Sequence, residues 1–287
     1  MPISINSNLS SARTQRILGN TSDNLNRVFE KLSSGQRINR ASDDAAGLAI
    51  ASSLKANSRI AGVAMRNAQD GISSVAVADG ALASITSILG RLAELATQGS
   101  NGSYSATQRS ALQAEFQVLG SEIERIAVTT EFNGINLLSG SQQVFFQIGY
   151  DGASTSQIML DQGGGATLQR LGLAGAGTSA LTVSLTGNDR SEAQSAAMAA
   201  LAAVNGAIVS INTLRGTLGT VEARLSSAIA NLQTSRENIQ SAEARITDAD
   251  IAVESAELTR VNILQQAGSA VLAQANQLPQ LAVQLLR

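Results

Sequence analysis

Residues Val204 to Ile246, VNGAIVSINTLRGTLGTVEARLSSAIANLQTSRENIQSAEARI, place an apolar side chain at every seventh position. Val204, Ile211, Leu218, Leu225, Leu232, Ile239 and Ile246 keep that interval, and Val253 continues it. Seven residues are two turns of a slightly underwound helix, so these side chains form one seam that a second helix can cover. Three positions further on stand Ala207, Leu214, Val221, Ala228, Ser235, Ala242 and Ala249, mostly small, which lets a neighbouring axis come close. At 1.5 Å per residue the stretch would run about 65 Å.

A second seam mirrors the first: Leu54, Ala61, Ala68, Val75, Leu82, Leu89 and Ala96, flanked by Ala64, Ala78, Ile85 and Leu92. A shorter helix carries Leu112, Phe116, Leu119, Ile123 and Ile126, and Ser105 with Gln108 three residues later reads as its capping box. The loop before it, TQGSNGSYS, is a break. Sheet-like material is confined to VFFQIGY, alternating Val144, Phe146, Ile148 and Tyr150, then Asp151-Gly152 and a run ending in QIML, which reads as a hairpin. Leu181, Val183 and Leu185 alternate more weakly after a glycine-rich stretch, Gly163 to Gly177, and no folded insert is expected before the last long helix.

Each terminus predicts an amphipathic helix. Leu18, Leu25 and Leu32 are seven apart, with Ile5, Leu9 and Ala12 before them; Leu264, Val271, Leu278 and Leu285 repeat the interval, with Gly268, Ala275 and Ala282 beside them. Pro279 predicts a kink close to the C-terminus. A chain that folds back on itself brings its ends together, yet two helices bury too little to be a core. The expectation is that Leu18, Leu25, Leu32, Leu264, Val271, Leu278 and Leu285 pack against copies of the same chain.

Composition removes several function classes. There is no Cys and no His, which excludes disulfides, thiol or imidazole catalysis and His/Cys zinc sites. The only lysines are Lys31 and Lys55, and neither a GxxxxGK phosphate loop nor a GxSxG elbow occurs. No catalytic, cofactor or metal residues are expected, so an enzyme is not. Aromatics are 2% of the residues, which suits thin packing between helices. A net charge of −2 with both signs interspersed gives no electrostatic footprint for nucleic acid. The N-terminus lacks the apolar run of a cleavable signal peptide, and no run is expected to reach membrane-span length.

Between the first two helices lies LSSGQRINRASDDAAG, Leu32 to Gly47, with almost nothing to bury. Gly35 can end one helix in a left-handed conformation; Ser42 is expected to cap the next, with Asp43 and Asp44 in its first turn. Arg37, Arg40, Asp43 and Asp44 thus read as a polar joint, either a solvated linker or a set of inter-subunit ion pairs. The paired carboxylates of DD and TDAD are explained by capping rather than by metal or acid–base chemistry.

LSSGQRINRASDDAAGLAI, EFNGINLLSG, ARITDADIAVESAELTRVNILQQA and VLAQANQLPQ together resemble bacterial flagellin, in order and at both ends of the chain. The resemblance implies a structural subunit that self-assembles into the hollow, extracellular filament of the bacterial flagellum for motility. It implies a mainly α fold: a long antiparallel helical bundle rod with a small β-hairpin element near 142–185, plus paired N- and C-terminal coiled-coil helices. Residues 1–42 and 249–287 would form the inner tube and 43–248 the outer tube, without large outer domains. Implied partners are further copies of the chain, a flagellar export chaperone, and hook-associated and cap proteins, with type III export and no cleavable signal. Residues Gly90 to Gln98, GRLAELATQ, are similar to the segment of flagellins sensed by a Toll-like receptor, implying contact through Arg91, Leu95 and Glu115; Gly90 and Ala93 depart from that pattern. Other readings are a hook-filament junction protein, which shares paired terminal helices, and an unrelated coiled-coil scaffold, which would account for the heptads alone.

Overall fold

The structure, a computed structural model, describes residues 7–140, 143–150, 153–160, 165–175 and 179–285. Ile5, the Asp151-Gly152 turn and the side chains of Leu278, Pro279 and Leu285 lie outside the described set. The elements in chain order are α1 (Leu9–Ser34), α2 (Ala45–Ser100), α3 (Ala106–Thr129), β1 (Glu131–Phe132), β2 (Ile135–Asn136), β3 (Val144–Gln147), β4 (Gln157–Leu160), α4 (Arg190–Thr247) and α5 (Ile251–Leu285). They divide into two compact units, 1–58 with 237–287, and 59–236. Those limits fall inside α2 and α4, whereas 42/43 and 248/249 mark breaks between helices.

In the unit of residues 59–236 the two seams become one core. Ala68, Val75, Leu82, Leu89 and Ala96 of α2 are buried with Val204, Ile211, Leu218 and Leu225 of α4, and α3 adds Phe116, Ile123 and Ala127. Small residues set the spacing: a Cβ at Gly71 would stand 3.0 Å from Leu225 Cδ1 and 3.2 Å from Phe146 Cγ, so a side chain there would have to push both neighbours back by a few tenths of an ångström. The expected capping box opens α3, with Gln108 N–H donating to Ser105 Oγ and Ser105 N–H donating to Gln108 Oε1 at 2.9 Å.

The hairpin β3–β4 is antiparallel, with Val144 opposite Leu160 and Phe146 opposite Ile158 on the core side, and Phe145 opposite Met159 outside. A second hairpin, β1–β2, turns at Asn133-Gly134 with φ of 52° and 75°, the left-handed pair that a two-residue turn requires. The glycine-rich stretch is more than a connector: Ala166, Leu168, Leu171 and Leu173 are buried in the core, and Leu168 N–H donates to Glu124 Oε2 at 2.8 Å. The expectation of no folded insert is corrected to that extent, because scattered leucines without a period leave no helix or strand signal. A second correction concerns span length. α2 and α4 each contain an 18-residue window apolar enough, by length and composition alone, to cross a membrane, 33% of it buried inside the chain. Alanines between the larger seam residues raise the window average without making a continuous run of large apolar side chains.

The unit of residues 1–58 and 237–287 is built on α1 and α5, which pack antiparallel. Lys31 Nζ meets Glu254 Oε1 at 3.2 Å at one end, Leu18 lies against Gly268 in the middle, and Asn8 Nδ2 donates to Ala275 O at 2.8 Å at the other. Ser11 Oγ donates to Asn276 Oδ1 at 2.7 Å beside it. The heptad of α4 does not pass unbroken to Val253, which is exposed: α4 ends at Thr247 and Asp250 Oδ1 caps α5 by accepting from Ala252 N–H at 2.9 Å. Helical backbone continues through Pro279.

Candidate assembly interface

The terminal pair separates the expected packing residues into two groups. Leu18, Leu25 and Leu32 are half-buried in α1 on the side that also carries buried Ser11 and Val28, and α5 meets them with buried Val261 and Ala275. Leu264, 46% exposed, and Val271, 56% exposed, lie outside that seam. At 100° per residue, Val253, Leu264 and Val271 fall within about 20° of one another on α5, so they form a single exposed apolar line. Ile17 on α1 and Ile263 on α5 extend the exposed apolar surface and were not legible from the heptads. On α1 the seven-residue repeat faces the helix of the same chain, whereas on α5 the seven-residue repeat is the line left outside that contact.

The polar joint is stitched to the break between α4 and α5. Gly35, at φ +70°, ends α1; Arg37 N–H then donates to Thr247 O at 2.6 Å and Ala249 N–H to Gly35 O at 2.9 Å, so the two breaks pair as a short antiparallel bridge. The Arg37 guanidinium donates to Ile246 O at 2.9 Å, a carbonyl of the last turn of α4, where a cation also meets the negative end of the helix dipole. Arg40 reaches back to α1, its Nε 3.1 Å from Glu30 Oε1 and its Nη2 2.8 Å from Glu30 Oε2. Asp43 accepts from Arg40 N–H at 3.0 Å and Asn39 N–H at 3.2 Å, and these two donors hold its carboxyl below the ordinary 3.8. The cap of α2 is Asp44, not Ser42: its Oδ1 accepts from Gly47 N–H at 2.8 Å, and both aspartates precede the helix. Ile38, buried, is the apolar peg in this stretch.

On the face of α2 toward α3, Arg91 bridges Glu94 and Glu115, each at 2.9 Å, and the two carboxylates raise its pKa, Glu94 first. Leu95 is 1% exposed and belongs to the core, so it offers no surface for a receptor to touch. Among the described residues no group of three or more acidic or imidazole side chains forms a metal site.

Acid should weaken this chain in a defined window. Arg215 holds Asp79 below 3.8, Arg125 holds Glu122 below 4.5, and Arg260 holds Glu257 below 4.5, in each case chiefly by a hydrogen bond. A carboxyl depressed in the folded state stabilises above its unfolded pKa and loses that contribution as pH falls through its folded value. With no histidine, no side chain of ordinary pKa titrates between about pH 5 and 8. The expected thermal midpoint is flat across that range and declines below about pH 4.5, modestly because these groups are exposed. Asp79→Asn should lower the plateau and shallow the acid limb; a midpoint that changes between pH 5 and 8 contradicts the assignment.

Comparison with known proteins places these features. The model of the bacterial flagellin N-terminal helical region matches residues 5–143, and that of the C-terminal helical region matches 201–286. Flagellin A of Vibrio cholerae is 51% identical over 150 residues, covering 52% of this chain and 40% of that protein. Flagellin E of the same organism is 45% identical over 161 residues, covering 56% and 43%. The chain therefore spans less than half the length of the relatives it matches. The crystal structure of Bacillus cereus flagellin shares 31% identity over 58% of this chain and 88% of that one, with a TM-score of 0.47. The two matched regions together take in α1, α2, α3, most of α4 and α5, well over half of the residues, and the chain belongs to the bacterial flagellin family.

Proposed function

We propose that this chain is a structural subunit, not an enzyme, that polymerises with its own copies into the hollow extracellular filament of the bacterial flagellum and so serves motility. The observation that carries the reading is the exposed line Val253, Leu264 and Val271, left uncovered on a helix whose intramolecular partner is already in place. In this reading Leu264 and Val271, continued by Leu278 and Leu285, pack between neighbouring inner-tube helices, while Leu18, Leu25 and Leu32 hold each pair together. Residues 1–42 and 249–287 form the inner tube and 43–248 the outer tube, and Arg37, Arg40, Asp43 and Asp44 set the joint between them. Family membership supports the remaining partners: an export chaperone for the C-terminal helix, a type III export route, and hook-associated and cap proteins at the filament ends. The exposed Arg91–Glu115 pair supports contact with the flagellin-sensing Toll-like receptor, with Leu95 acting from beneath. Monomer that fails to activate receptor-bearing cells where a known agonist saturates would remove that part.

The deciding experiment concentrates the purified chain in a salting-out buffer, with and without short filament seeds, followed by negative-stain electron microscopy. Long hollow filaments are expected. Persistent monomers or stubs, where a control flagellin elongates, would transfer the reading to the hook-filament junction.

A further inference from the structure

Three Asn-Gly dipeptides occur in the chain, Asn101-Gly102, Asn133-Gly134 and Asn205-Gly206, and the fold treats them differently. Asn-Gly is the pair in which the following amide nitrogen meets least steric resistance on its way to the asparagine side chain. Asn205 lies inside α4, where the Gly206 amide belongs to the helical hydrogen-bond ladder. Asn133 is held at φ 52° by the β1–β2 pairing of Phe132 with Ile135. Asn101 follows the last turn of α2 and is exposed. Its Oδ1 accepts from Ser103 N–H at 3.1 Å, which folds the side chain back over the Gly102 peptide. Among the described residues the Gly102 N–H finds no acceptor, and nothing stands within 4 Å of where a Cβ would be.

We propose that Asn101 is a site of spontaneous deamidation, and that its isoaspartyl product releases the loop between α2 and α3. The Gly102 nitrogen attacks Asn101 Cγ; the new N–Cγ bond forms, the Cγ–Nδ2 bond breaks, and ammonia leaves carrying the Gly102 amide proton. Water then opens one of the two imide C–N bonds of the succinimide, giving aspartate or isoaspartate. Isoaspartate routes the main chain through the former side chain and lengthens it by one carbon at residue 101. The carbonyl of residue 101 is one of three that the Arg109 guanidinium holds, at 2.8 Å from Nη2; in isoaspartate it becomes a free carboxylate and the main chain leaves through Cγ, so the group that Arg109 holds no longer lies on the path to Gly102 and the loop beyond is untied from it. A subunit held in an assembly keeps such a change for as long as it persists there, so the site records age.

The test incubates the purified full chain in mildly alkaline buffer and follows all three sites by peptide mapping with mass spectrometry. Conversion at Asn101 should exceed that at Asn205 by about tenfold or more, since a helical amide must first open. It should also exceed that at Asn133. Gly102→Ala, which the open space around residue 102 accommodates, should leave the fold unchanged and slow conversion at Asn101 severalfold. Aged wild-type chain should be cut between residues 100 and 105 by a nonspecific protease sooner than fresh chain. Equal or faster conversion at Asn133 or Asn205, indifference to Gly102→Ala, or unchanged protease resistance after conversion would each overturn the proposal.

Discussion

Leu264→Asp is expected to leave a folded chain with normal helix content that no longer polymerises. Leu264 is exposed in the isolated chain, so a carboxylate there meets water, and neither the α1–α5 seam nor the core of residues 59–236 is touched. In the filament proposed above, the same position would be covered by a neighbour. Burying a leucine there contributes about 1.5–3 kcal/mol, and an unpaired carboxylate in its place replaces that gain with a desolvation cost. Each 1.4 kcal/mol is tenfold in the concentration needed to polymerise, so the critical concentration should rise by about a hundredfold or more. Val271→Asp, on the same line of α5, should behave alike. Leu18→Asp is the contrasting substitution. Leu18 sits half-buried against Gly268, so its aspartate should separate α1 from α5, lower the monomer's helix content and abolish assembly together. Sedimentation of seeded samples and circular dichroism of the monomers separate the two cases. Filaments from Leu264→Asp at wild-type concentration would show that the exposed line of α5 is not an interface.

This contrast also marks how far the sequence could be read. Seam positions such as Val75, Leu82, Ile211 and Leu225 were legible because a period of seven survives any detail of packing, and each is buried where expected. The Ser105–Gln108 box and Gly35 were legible because a cap depends on local chemistry alone. Periodicity does not say which molecule covers a seam, so Leu18 and Leu264 looked equivalent from heptads and differ in the fold. The cap of α2 moved from Ser42 to Asp44 because Asp43 is occupied by the Asn39 and Arg40 amides, a competition that residue types alone do not resolve. Leu95 sits in a segment whose polar neighbours suggest exposure, yet its place in the turn points it inward. Asn133-Gly134 carried the same two-residue hairpin signal as the Asn-Gly pairs at 101 and 205, and its strands are too short to alternate visibly.

Arg109→Met is expected to destabilise the unit of residues 59–236 by about 3 kcal/mol, more than any surface ion pair in the chain is worth. Arg109 looks in the sequence like one of several polar residues opening a helix, yet it is 3% exposed. Its guanidinium donates to the carbonyl of Gly99, to Asn101 O at 2.8 Å and to Tyr104 O at 3.4 Å. These lie at or just past the end of α2, where a helix leaves its last carbonyls without amide partners and its dipole is negative. One planar cation therefore closes the helix end and folds the connection back toward α3. Methionine preserves apolar bulk but removes every donor. Asn101 and Tyr104 can turn to water, whereas Gly99 is buried and its carbonyl is left unsatisfied at a cost of about 1–3 kcal/mol, with lost charge-assisted bonds adding to it. Arg109→Lys keeps the charge but offers a single point instead of a fork, so it should recover only part of the loss. Urea denaturation of the three chains measures the ordering, and hydrogen exchange should place the earliest loss of protection at the C-terminal turn of α2 and the loop to residue 105. An Arg109→Met chain as stable as wild type, or one whose exchange rises first elsewhere, would show that the loop is held by its apolar neighbours and that the buried guanidinium merely accompanies them.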